Sequence, residues 1–111
     1  MRQQLEEFAA SLPGFEKTYA WDCAQFKVAG KLFAWADEED CWISVKASKE
    51  QQAILCEQPN IEPSPYAHIH GWVRITIEGE DDLDMACDLL QEGYSQVVAK
   101  LPKKKQAELD R

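Results

Sequence analysis

A chain of 111 residues with 12 basic and 20 acidic side chains has a formal charge of −8, which repels nucleic acid at long range unless the bases are sorted onto one surface. Its 45% hydrophobic content, with four Trp, four Phe and three Tyr, excludes a disordered chain, and this length suits one domain, residues 1–111, burying about two-thirds of its unfolded surface. No apolar run approaches the ~18 residues of a membrane span, and the first seven residues lack the apolar stretch of a signal peptide, so a cytoplasmic location with no membrane partner is expected.

In chain order, Leu5, Phe8, Ala9 and Leu12 hold the spacing of one helical stripe, and Pro13-Gly14 ends it. The segments Ala24–Val28 and Lys31–Trp35 read as strands joined by Ala29-Gly30, whose glycine suits the positive φ of a tight hairpin. After the acidic turn Asp37–Asp40, Cys41–Lys46 alternates, with Ile43 and Val45 on one face and Trp42, Ser44 and Lys46 on the other. Ser48-Lys49-Glu50-Gln51 has the form of a capping box, opening a short helix that runs to Pro59. Residues 59–65 hold three prolines and read as an ordered loop. Trp72–Ile77 alternates again, with Val73, Ile75 and Ile77 inward. Leu83, Ala86, Cys87, Leu90, Tyr94, Val97, Val98 and Leu101 then mark a long core-facing helix, which Pro102 ends while opening a last short one. A further β segment at Lys17–Trp21 is an option.

This order implies an α+β single domain in which a twisted antiparallel sheet carries helices on one face. The other face would present Trp42, Lys46, Trp72 and Arg74, either as a platform for bases and phosphates or as a cover for the sheet. Charge is segregated as well. Residues 78–92 hold seven carboxylates and no base, whereas residues 100–111 hold five bases against two acids. Acids at the start of the long helix and Lys100 at its end suit the helix dipole. Lys103, Lys104 and Lys105 sit at the positive end of the next helix, where that account fails, leaving a surface role or a solvated lysine turn.

Catalytic signals are thin. His68-Ile69-His70 would place two imidazoles on one side of a strand, without a third ligand at suitable spacing. The four cysteines lie 18, 15 and 31 positions apart and read as small buried hydrophobes. The five glycines form neither a phosphate loop nor a dinucleotide fingerprint, and the acids of residues 78–84 lack the ligand spacing of an EF-hand loop.

The chain resembles the MmcQ/YjbR proteins. The resemblance is carried by Leu12-Pro13-Gly14 with Glu16 and Trp21, by the hairpin Phe26-Lys27-Val28 and Gly30-Lys31-Leu32-Phe33-Ala34, by Pro63, Tyr66 and Trp72-Val73, and by Tyr94, Val97 and Leu101-Pro102-Lys103. It implies a frataxin-like or secretion-chaperone-like fold, a double-winged DNA-binding role and no enzymatic reaction or cofactor. The family commonly has serine where Gly93 stands. Under this expectation Lys27, Lys31, Lys46, Arg74, Lys103, Lys104 and Lys105 contact the phosphates of double-stranded DNA, and Trp42 or Trp72 touches sugar or bases. The alternatives are a protein-interaction or chaperone-like module and an acidic metal binder using Asp81, Asp82 and Asp84.

Overall fold

Alternating apolar side chains and tight turns assemble six segments of this chain into a sheet, and two helices cover one side of it. The computed structural model describes residues 2–20, 23–37, 41–65 and 68–109. Trp21, Tyr66, Arg111 and the Glu38–Asp40 part of the acidic turn therefore lie outside the described residues. The elements are α1 (Arg2–Ala10), β1 (Phe15–Ala20), β2 (Cys23–Val28), β3 (Lys31–Asp37), β4 (Trp42–Val45), α2 (Lys49–Leu55), β5 (Ile61–Pro63), β6 (Val73–Thr76), α3 (Glu80–Ala99) and α4 (Lys103–Leu109). The strands form one antiparallel sheet in the order β1-β2-β3-β4-β6-β5.

The expected α+β architecture is present, with three local differences. The optional β segment is a full edge strand, β1, paired with β2 from Phe15 opposite Val28 to Ala20 opposite Cys23. The proline-rich loop contains β5, which tolerates Pro63 because an edge strand can spare an amide donor. His68–His70 forms a 3-10 turn in place of the expected strand.

Local signals act as anticipated elsewhere. Ala29 and Gly30 adopt φ of 50° and 76°, the left-handed pair of a two-residue hairpin turn. Ser48 Oγ accepts from the Gln51 amide at 3.1 Å while Gln51 Oε1 accepts from the Ser48 amide at 3.0 Å, completing the capping box. The Pro102 carbonyl accepts from the amides of Lys105 and Gln106, so this proline opens α4.

One feature of β3 is non-local. The β2–β3 register shifts between Phe26 and Lys27, so Phe26 faces Ala34 while Lys27 faces Leu32 and Val28 faces Lys31. Phe33 is the extra residue of this bulge, which explains why it and its neighbour Ala34 are both fully buried. Beyond the bulge the alternation is reversed. Lys31 falls on the face of buried Val28, the side that α3 covers, while Lys27 falls on the opposite face beside its β1 partner Glu16.

The core lies between the sheet and the α1–α3 layer. An aromatic series runs through it, with ring centroids 5.3 Å apart for Phe15–Phe26, 6.5 Å for Phe26–Phe33 and 5.7 Å for Phe33–Tyr94. Tyr94 donates its hydroxyl to the Pro13 carbonyl, tying α3 to the turn after α1. The acids that open α3 also have structural work, because Asp82 accepts from Asn60 Nδ2 at 2.8 Å and from the Glu78 amide at 2.9 Å. Cys56 and Cys87 pack against the core, as a small hydrophobe should, whereas Cys41 is exposed, correcting the expectation for that residue.

Gly93 sets the distance of α3 from the sheet. A Cβ there would lie 3.0 Å from the Lys46 carbonyl oxygen and from Val45 Cγ1, and 3.3 Å from the Phe33 carbonyl oxygen. Two of those atoms belong to the strand backbone and cannot swing away. Gly93→Ala should therefore lose about 1–3 kcal/mol to overpacking against about 1 kcal/mol of helix propensity gained. Urea unfolding is expected to show net destabilisation of about 1 kcal/mol, and a more stable variant would contradict this packing. Tyr94→Phe, which strands the Pro13 carbonyl, should lower stability by about 0.5–1.5 kcal/mol in the same assay.

Candidate anion and nucleic-acid interface

Two regions hold the residues singled out from the sequence. The first is the sheet face opposite the helices. There the Arg74 guanidinium lies 3.9 Å above the Trp42 ring centroid, with Nη1 4.0 Å from Glu62 Oε1. Trp72 stacks on Trp35 with centroids 4.9 Å apart, and Lys46 Nζ lies 5.8 Å from the Trp72 centroid. Beneath this layer the buried Ser64 hydroxyl donates to the Ser44 hydroxyl at 2.8 Å. The Trp72 carbonyl accepts from the Ser64 amide at 3.0 Å and from Gln52 Nε2 at 2.9 Å.

This arrangement corrects one expectation. Trp72 is only 7% exposed, so its ring cannot serve as an open stacking surface, and Trp35 is the partner that covers it. Trp42 keeps some exposure, but Arg74 occupies one face of its ring. Arg74 is half-buried and shares its charge with Glu62, and its Nε is buried without a hydrogen-bond partner. The group is a packed cation–aromatic layer more than a free platform.

The second region lies where β3 and β4 meet the end of α3. Lys31, Lys46 and Lys100, with Leu32, Val97 and Leu101, line a cavity of about 380 Å³. The two-residue turn, which pairs Lys31 with Val28, sets Lys31 on the side that α3 covers, and the close seating of α3 at Gly93 brings Lys100 to it. Burial first, and the positive charge of Lys100 second, push the Lys46 ammonium below the ordinary lysine value. Among the described residues, none of these three ammonium groups lies within 4.0 Å of a carboxylate. Lys103, Lys104 and Lys105 follow on α4, all exposed, with Lys105 Nζ 3.7 Å from Glu108.

The structure thus brings Lys31 and Lys46 together beside the turn that carries Lys103–Lys105, and sends Lys27 and Arg74 to the other face. The sequence alone connects Lys100 with the dipole at the end of the long helix. The position of Lys100 in the last turn of the core stripe, between Val98 and Leu101, is the available signal that it borders the same surface. The remaining candidates stay apart. His70 is exposed, and among the described residues no group of three His, Cys, Asp or Glu side chains is placed to hold a metal ion. Cys56 and Cys87 have thiol pKa values raised chiefly by burial, which disfavours the reactive thiolate. Among the described residues no helix is long and apolar enough to cross a membrane.

A six-stranded antiparallel sheet with one helix-covered face, a cation–aromatic layer on the other and a lysine-lined cavity at the end of its long helix defines a small α+β protein of the YjbR type. The chain belongs to the YjbR family, whose sequence profile matches residues 10–96. A crystal structure of a protein from Pseudomonas syringae is similar at 18% identity with a TM-score of 0.63, covering 81% of this chain and 95% of that one, a likeness that shows the fold. No curated protein matches.

The position of Lys46 has a measurable consequence. Because its pKa is lowered, the folded state holds that proton less readily than the unfolded chain. Its contribution to stability is unfavourable below the folded pKa and vanishes as pH rises past 10.5. Side-chain NMR titration should find Lys46 below the other lysines, and Lys100→Met should move it upward. An unchanged Lys46 value in that variant would show that the two ammonium groups do not share the cavity.

Proposed function

We propose that this protein is a non-enzymatic DNA-binding protein that meets the phosphate backbone of a duplex with the end of the molecule where α3, α4 and the β2–β3 hairpin come together. The observation that carries the reading is the convergence of Lys31, Lys46 and Lys100 beside Lys103 and Lys104, without a described carboxylate within ion-pair distance of any of them. Phosphate contacts of this kind position a protein on a duplex without reading its sequence.

Net charge does not oppose this. The carboxylates of residues 80–84 open α3, whereas Lys100 caps its other end. At 1.5 Å per residue a 20-residue helix separates them by about 30 Å, against a screening length of about 8 Å at physiological salt. The acidic pole is electrically remote from a phosphate at the lysine end. The same separation orients the molecule, turning its basic end toward a polyanion.

Lys27 and Arg74 contribute less to this surface, since they point to the other sheet face and Arg74 is partnered by Glu62. Fluorescence anisotropy with a labelled duplex from about 25 to 150 mM salt tests the reading. Binding should weaken linearly on a log–log scale. The variant with Lys31, Lys46 and Lys100 all changed to Gln should lose about 2.7 units of slope, at about 0.9 per phosphate contact. Absence of binding at the lowest salt, or a slope untouched by the triple change, would remove the reading.

A further inference from the structure

We propose that the cavity bounded by Lys31, Lys46 and Lys100 is a binding site for a small organic phosphate monoester, a compact apolar body carrying a doubly charged head. This goes beyond the duplex reading and needs no nucleic acid.

Cavity size and lining carry the argument together. A volume of about 380 Å³ falls within the range of about 300–1,000 Å³ typical of small-molecule sites and exceeds what a phosphate group alone would fill. Half of the lining is cationic and half is apolar, from Leu32, Val97 and Leu101. Such a lining suits a ligand with one anionic end and one hydrophobic end. A monoester head carries about −1.5 to −2 charges and three acceptor oxygens, which three ammonium donors can meet. A phosphodiester in a duplex backbone carries a single charge and leaves the apolar floor uncovered.

The bland account of three lysines near a helix end is that they satisfy its carbonyls. Here those carbonyls have other donors. The Val97 and Val98 oxygens accept from the Lys100 and Leu101 amides, and Gln106 Nε2 reaches the Ala99 oxygen at 3.4 Å and the Leu101 oxygen at 2.8 Å. No lysine side chain is needed as a cap. Lys46 meanwhile extends over the Trp72 ring and is held near Lys100 despite their repulsion. An anion between them would relieve that repulsion.

Phenyl phosphate titrated into the full chain, followed by amide NMR shifts with no nucleic acid present, tests the site. Saturable shifts around residues 31–32, 46 and 97–101 are expected, with Kd on the order of 0.1–1 mM for a ligand this small. Lys46→Met should weaken binding by about tenfold or more, and inorganic phosphate should bind about tenfold less tightly than phenyl phosphate. Lys49→Gln, a change on exposed α2, should leave the affinity unaltered. The spectra report folding, and if Lys46→Met does not fold, Lys100→Met at the exposed helix end carries the same expectation. No saturable shift by about 10 mM, shifts confined elsewhere, full affinity in the folded lysine variants, or equal affinity for inorganic phosphate would each overturn the proposal. Because duplex is absent, these outcomes are independent of the salt-slope measurement.

Discussion

The seating of α3 on the sheet at Gly93 is the constraint from which the rest of the structure follows. With no side chain at that position, the helix backbone approaches the carbonyl oxygens of Phe33 and Lys46 as closely as the strands permit. Tyr94, the next residue, then reaches Phe33 on one side and Pro13 on the other. One contact thereby sets the depth of the core, the position of α1 relative to the sheet and the place where the last turn of α3 ends. The lysine cavity is a consequence of that last item. If the helix stood further from β3 and β4, Lys46 and Lys100 would be too distant to affect each other.

The residues that carry the family resemblance explain themselves in the same terms. Pro13 receives the Tyr94 hydroxyl, and Gly14, at φ of 76°, leaves room for Leu109 of α4 to rest on the turn. Phe26 and Phe33 form the middle of the aromatic series. Leu101-Pro102 closes one helix and begins the next. These positions preserve a way of packing and contribute little chemistry directly, so belonging to the family settles the architecture and leaves the ligand to be argued from the surface. Lys31 is the exception. It lies within the hairpin motif and also lines the cavity, because its pairing with Val28 across the two-residue turn sets it on the side that α3 covers.

Much of this was legible in the sequence where the cause is local. The hairpin at Ala29-Gly30, the capping box at Ser48 and the stripe of α3 each depend on residues a few positions apart, and each formed as the pattern required. What was not legible depends on partners across the sheet. The bulge at Phe33 is a property of the β2–β3 register, and only that register decides that the neighbours Phe33 and Ala34 are both buried. The stacking of Trp35 on Trp72 joins β3 to the residue that precedes β6, a strand not adjacent to it in the sheet, and β5 forms because its neighbour β6 offers hydrogen bonds that no feature of a proline-rich segment announces. The convergence of lysines 31, 46 and 100 spans 70 positions of sequence and depends on the β3–β4 pairing and on the seating of α3 across those strands.

The sheet face without helices shows why the tryptophans do not by themselves indicate a ligand. A sheet whose second face lacks a helical layer must still exclude water from its central strands, or their cross-strand contacts gain little. Trp35, Trp42 and Trp72, the aliphatic stem of Arg74 and the segment from β5 to Pro65 supply a thin second layer from the sheet itself and its nearest loop. Burying polar groups there is tolerable because Ser64 donates to Ser44, and the one uncompensated side-chain atom among the described residues, Arg74 Nε, belongs to a side chain whose Nη1 remains near Glu62. Cation and aromatic residues on that face thus serve the fold. At the end of α3 the balance is reversed: Lys31, Lys46 and Lys100 have no described carboxylate within ion-pair distance, the last helix carbonyls accept from backbone amides and Gln106, and the apolar residues beside them leave a space open. Function in this molecule is therefore sought at the end of the sheet and not on its face.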